Sequence, residues 1–154
     1  MLGFSLPSSA SYNAFISYKH EDIDLATKIY HYIKSNFINA FFDKVSLPSL
    51  GKSEYHDAIM DSLDCSENFV LILSKLEYIQ SEWVSLELKT FNKEVAEGRK
   101  PNANIIFVVT PDVYDEIIST NKRCLPIQYR GVEIILTTNY RDTLIPYIKN
   151  SDEL

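Results

Sequence analysis

The stretch SEWVSLEL, residues 81–88, places the chain's single tryptophan, Trp83, four residues before a glutamate, Glu87. Those two residue types at that spacing could do chemistry together. A flat aromatic ring stacks on a planar aromatic ligand. A carboxylate one helical turn away stabilises positive charge that develops beside it. At about 100° per residue, Val84, Leu88, Phe91 and Val95 fall within a stripe about 60° wide, the expected core face. Trp83 and Glu87 share one flank of that stripe, at its rim. The same spacing also fits a plain structural reading, in which Trp83 staples the helix to the preceding loop and Glu87 is solvated. Spacing alone leaves both open.

The elements that must position this pair are read from the hydrophobic pattern. Short runs rich in aromatic and β-branched residues predict strands at 12–18 (YNAFISY), 39–43 (NAFFD), 68–74 (NFVLILS), 104–109 (NIIFVV) and 132–136 (VEIIL). The continuous apolar run NFVLILS suits a strand buried on both faces of a parallel sheet. Apolar residues at helical spacing predict helices at 21–37, 53–63, 81–98, 111–120 and 140–150. Glu21, Asp22 and Asp24 open the first, where the helix dipole favours carboxylates. Ser53 is the expected N-cap of the second. Gly98 closes the third and Pro111 starts the fourth. Pro146 kinks the last or lies near its start. Residues 44–53, with Pro48 and Gly51, read as a loop.

Five alternations of strand and helix imply right-handed crossovers and a covered parallel sheet. The expected fold is α/β: a flavodoxin-like three-layer sandwich with a five-stranded parallel sheet in the order 2-1-3-4-5. The ligand crevice of such a sheet lies at the carboxyl ends of the strands, at the switch point between the first and third. Residues 18–22, 44–52 and 74–83 should border it. Familiar uses of that crevice are not supported. A phosphoreceiver needs an aspartate where the third strand ends in Ser74. A flavodoxin needs a phosphate loop where this chain has YKHED. A dinucleotide-binding turn needs GxGxxG, and the four glycines are scattered at 3, 51, 98 and 131.

The chain has 154 residues, of which 45% are hydrophobic and 23% charged, as in one ordinary globular domain. The net charge of −6, without a Lys/Arg cluster, argues against nucleic-acid binding and against an anionic membrane surface. Cys65 and Cys124 form no CxxC and no His/Cys group, which suits a reducing cytosol and argues against a structural zinc. His20, His31 and His56 show no metal spacing and are expected at the surface. The N-terminus lacks the features of a signal peptide, and the longest apolar runs are too short to span a bilayer. The expected location is cytoplasmic.

Several motifs in order, AFISYKHED, then AFFDKVSLPSLGKSEYHDAIMDSLDCSENFVLILSK, then SEWVSLEL, resemble a Toll/interleukin-1 receptor (TIR) domain over residues 11–150. Residues 1–10 then form an N-terminal extension and 151–154 a tail leading towards a missing domain. Some TIR domains are scaffolds that recruit other TIR domains; others cleave NAD⁺. The wording NFVLILS and EWVSLEL is closer to the NAD⁺-cleaving, bacterial-type branch. The resemblance implies that Glu87 is catalytic and that Trp83 stacks on nicotinamide. It also places Tyr18 and Lys19 against the ligand, with Phe42, Asp43, Leu47 and Lys52 framing the BB loop. Lys19 also fits a solvated loop lysine, and the BB-loop residues also fit plain packing.

The function implied by this resemblance is that of an NAD⁺ glycohydrolase, yielding nicotinamide and ADP-ribose or a cyclic isomer. NAD⁺ is its substrate, and no metal or further cofactor is expected. It would serve antiphage immunity and work by homotypic self-assembly, with a fused or separate sensor. The alternative is a non-catalytic interaction module. Two departures stand out. No second tryptophan is present to complete the site from a neighbouring subunit, so a tyrosine or phenylalanine would have to serve. Leu50-Gly51 also stands where Pro-Gly is frequent.

Overall fold

The computed structural model describes residues 11–46 and 52–149. Its strands are β1 (Tyr12–Tyr18), β2 (Ala40–Phe41), β3 (Ser66–Leu73), β4 (Ile105–Val109) and β5 (Glu133–Leu136). All neighbours pair in parallel, in the order β2-β1-β3-β4-β5. This is the flavodoxin-like sheet expected from the alternation of elements. The helices are α1 (Ile23–Ser35), α2 (Asp43–Ser46), α3 (Lys52–Asp64), α4 (Glu82–Ala96), α5 (Pro111–Ser119), α6 (Tyr140–Thr143) and α7 (Ile145–Ile148).

Strand alternation divides the core into two layers. Ala14, Ile16, Val70, Ile72, Ile106 and Val108 face α1, α6 and α7. Phe15, Phe69, Leu71 and Phe107 face α3, α4 and α5. Val84, Leu88 and Phe91 of α4 are at most 1% exposed against that second face, as the helical stripe requires. Burial of each such side chain is worth about 1.5–3 kcal/mol. Gly98 adopts φ +78°, Gly98 N–H donates to Val95 O, and Arg99 N–H donates to Glu94 O. That is a Schellman ending, and it needs the left-handed residue that glycine supplies.

Several expectations are corrected. The second strand is two residues long rather than five. Asp43 leaves the sheet to begin α2, because its side chain is held by tyrosines of two other elements. The first helix is shorter: a 3₁₀ turn at His20–Asp22 precedes Ile23, and the helix ends at Ser35. Asp22, in that turn, is buried, and its Oδ2 accepts the Ser74 N–H at 3.0 Å. It therefore ties the end of β1 to the end of β3 at the switch point. The expected last helix is two four-residue turns, since Pro146 has no N–H to continue the ladder. α3 begins at Lys52, one residue before the expected cap Ser53.

Candidate active site

At the carboxyl ends of β1 and β2, a cleft of about 370 Å³ opens between the sheet and the first turns of α3 and α4. Tyr18, Lys19 and His20 line it from the end of β1, Asp43 from α2, Tyr55 and Ile59 from α3, and Ser81, Glu82, Trp83, Val84 and Glu87 from the start of α4. This is the switch-point crevice that the strand order requires.

Glu87 sits at the base. It is 7% exposed, so its expected place at a rim is corrected. The flank of α4 that carries it is covered by α3, and the sheet lies beneath. Its Oε1 accepts the Ser17 hydroxyl at 2.7 Å. Among the described residues no Lys, Arg or His forms an ion pair with Glu87. Burial pushes its carboxyl up to about 8; the Ser17 hydrogen bond pulls the other way, and the Asp43 charge adds to the rise. Burial thus favours the protonated form of Glu87, and a cation entering beside it favours the ionised form.

The opposite wall is a pair of phenols on one carboxylate. Tyr18 Oη donates to Asp43 Oδ1 at 2.8 Å, and Tyr55 Oη donates to Asp43 Oδ2. Burial first, then Asp43, raises both phenols well above the ordinary tyrosine range, so they remain donors. Trp83 stands at the mouth, 41% exposed. Its ring meets Tyr55 edge-on at 6.4 Å between centroids and tilts against His56 at 5.5 Å. Lys19 leans out of the cleft to Glu21 at 3.4 Å and over the Tyr78 ring at 5.9 Å.

The structure thus brings together Tyr18, Lys19, Asp43, Trp83 and Glu87. It does not bring Phe42: that ring is fully buried between Tyr18 and Tyr30, at 5.4 and 5.0 Å, and supports Tyr18 from below. Leu47 and the side chain of Lys52 lie outside the described residues, as do Pro48, Leu50 and Gly51. Sequence reasoning missed Ser17 and Tyr55. Ser17 had a signal: the one serine among the covered apolar residues of the strand, near its carboxyl end. Tyr55 had none, because only the placement of α3 turns it towards Asp43. Tyr55 is the aromatic that the chain itself sets against Trp83. His20, His31 and His56 are exposed, as expected.

A parallel five-stranded sheet with a carboxylate cleft at its switch point defines an α/β domain of the flavodoxin-like class. The family model for the TIR domain matches residues 14–139. The chain belongs to the TIR domain family. Its structure is similar to that of a metazoan TIR-STING receptor from C. gigas in complex with 2′,3′-cGAMP, with a TM-score of 0.67 and 25% identity over 90% of the chain. A second structure of a metazoan TIR-STING receptor from C. gigas aligns with a TM-score of 0.62 and 23% identity, also over 90% of the chain. The matched region is 40% of each receptor. No curated protein matches the chain. No helix of the described residues is long and apolar enough to cross a membrane.

Proposed function

We propose that this domain is an NAD⁺ nucleosidase of the bacterial-type TIR branch, with Glu87 as its catalytic carboxylate. One observation carries the reading: a buried glutamate without a cationic partner among the described residues forms the base of an open cleft whose mouth holds an exposed tryptophan. A site of that kind favours a flat cationic ring. Nicotinamide in NAD⁺ is such a ring, and Trp83 offers it a stacking surface. The C1′–N bond breaks with its electron pair moving to the ring nitrogen, which leaves nicotinamide neutral. No general acid is needed. Ionised Glu87 stabilises the oxocarbenium-like transition state at C1′. Attack by water, with its proton passing to solvent, gives ADP-ribose. Attack by an adenine nitrogen or a ribose hydroxyl gives a cyclic isomer.

NAD⁺ is the substrate, and the chemistry asks for no further cofactor. Asp43, clamped by Tyr18 and Tyr55, forms a rigid wall opposite Glu87, and Lys19 can swing from Glu21 to a phosphate. Homotypic assembly through the BB loop would complete and activate the site in a cytosolic antiphage response. The match to less than half of two-part receptors fits a sensor fused to the chain or acting beside it. The exposed apolar side chains of Val45, Trp83 and Leu86 suit such contacts.

The test incubates the pure domain with NAD⁺ over a range of protein concentrations and resolves products by chromatography. Nicotinamide together with ADP-ribose or a cyclic isomer is expected, with specific activity rising with concentration. A domain that stays intact and assembled yet releases no nicotinamide would overturn the reading in favour of an interaction module.

A further inference from the structure

Among the described residues, Glu87 is held by a single side chain, and that side chain carries no charge. Ser17 lies at the carboxyl end of β1, in register with Leu71 of β3, and is 1% exposed. Alternation along β1 sends Ala14 and Ile16 to the α1 layer, and Phe15 and Ser17 to the α4 layer. Every other fully covered side chain of the strand is apolar. The hydroxyl is spent on Glu87 Oε1 at 2.7 Å. The other oxygen, Oε2, receives no hydrogen bond from the described residues. Glu87 lines the cleft, which leaves Oε2 as the oxygen available to it among the described contacts.

We propose that Ser17 is the positioning residue of Glu87, fixing one carboxylate oxygen so that the other faces the substrate. The inference rests on the catalytic reading of Glu87. Its physical basis is the choice of partner. An ammonium or guanidinium in the place of Ser17 would hold the carboxylate equally well but would neutralise it, and the cleft would lose its pull on a cation. A hydroxyl gives direction without countercharge. It also survives titration: it donates to the ionised carboxylate and accepts from the protonated one. Glu87 can therefore change charge without turning. The bond crosses from sheet to helix, so it also fixes the carboxylate relative to Tyr18, the next residue of β1, and hence to the opposite wall.

The test uses Ser17→Ala and Ser17→Thr in the same chain, with two readouts. The first is the carboxyl-carbon NMR titration of Glu87 without NAD⁺. Loss of the donor to the ionised form should move the Ser17→Ala midpoint upward by roughly one pH unit, and Thr should return it towards wild type. The second is the kinetics of NAD⁺ cleavage. Ser17→Ala should lower kcat roughly 10- to 100-fold with little change in KM, because orientation matters most in the transition state; Thr should restore it. Where the extra methyl of Thr is not accommodated, Ser17→Cys, of similar shape with a weaker donor, should fall between wild type and Ala. A folded Ser17→Ala protein with an unmoved Glu87 midpoint and wild-type kcat overturns the proposal. Failure of the functional reading looks different: wild type itself then cleaves no NAD⁺, while the substrate-free titration still decides whether Ser17 controls Glu87.

Discussion

Helix α4 carries two buried glutamates, seven residues apart and therefore on nearly the same face. Glu87 and Glu94 are each 7% exposed. Their surroundings differ completely. Glu94 lies at the amino-end side of the sheet, 3.4 Å from Lys100 Nζ and 3.8 Å from Arg99. Arg99 reaches on to Asp64, and Lys100 also donates to the carbonyls of Leu63, Asp64 and Ser66 and lies 4.6 Å from the centre of the Phe91 ring. That cluster pins the end of α4 to the α3–β3 turn. Among the described residues, Glu87 has one hydroxyl, no cation and an open cleft. Burial of a carboxylate is costly either way. At Glu94 the protein itself supplies two nearby cations, against burial and the neighbouring Asp64, which together still push its carboxyl up. At Glu87 the compensation is left to a proton or to a ligand, which is how a binding or reacting group differs from a structural one.

The largest expected effect on stability lies at Glu94. Lys100→Met keeps much of the side chain's volume and removes its charge, leaving Glu94 without its closer cation. Chemical denaturation should show a loss of about 3–5 kcal/mol, as for a broken buried pair. NAD⁺ cleavage by the folded variant should keep its kcat. A stability loss under about 1 kcal/mol would mean that Arg99 alone neutralises Glu94.

Glu87 gives a pH signature. The folded-state value for Glu87, about 8, lies above its ordinary 4.5. Between those values the folded chain binds more protons than the unfolded one. Stability contributed at this site therefore falls as pH rises through that window, and the loss is complete above about 8. Glu87→Gln abolishes the titration. It should leave stability unchanged near pH 4 and raise it above pH 8 by on the order of a few kcal/mol. Thermal melts at the two pH values check this, and equal effects at both would contradict a raised carboxyl. In the same account, kcat/KM of the wild-type domain rises with pH towards a plateau above about 8, because the free cleft must ionise.

The smallest effect sharpens the role of Trp83. Trp83→Ala should cost about 1–3 kcal/mol in kcat/KM for NAD⁺, by analogy with base–aromatic stacking. Trp83→Phe should recover part of it, since a flat ring suffices. Equal damage from both would instead point to the packing of Trp83 on Tyr55 and His56.

The legibility of these features tracks their locality. The strands of the sheet announce themselves because NFVLILS and NIIFVV are continuous apolar runs, and the face of α4 is evident from Val84, Leu88 and Phe91. Trp83 and Glu87 could be placed in one region because one helical turn joins them. The burial of Glu87 could not be read, because it depends on α3 covering a flank that looks like a rim on the helix alone. The Ser17 contact spans seventy residues, and the clamp on Asp43 joins three elements; neither leaves a periodic trace. The short β2 and the broken C-terminal helix were misjudged where a side-chain contact at Asp43 and a missing N–H at Pro146 outweigh propensity.

The most direct test sets the two glutamates side by side. Glu87→Gln and Glu94→Gln, each well below its melting temperature and at a concentration where the wild-type domain is active, are incubated with NAD⁺, and nicotinamide release is followed by chromatography. The account predicts that Glu94→Gln releases nicotinamide at close to the wild-type rate, whereas Glu87→Gln loses several kcal/mol of transition-state stabilisation, on the order of 10³-fold or more in rate. Wild-type turnover by Glu87→Gln, or equal losses in both variants, would contradict it.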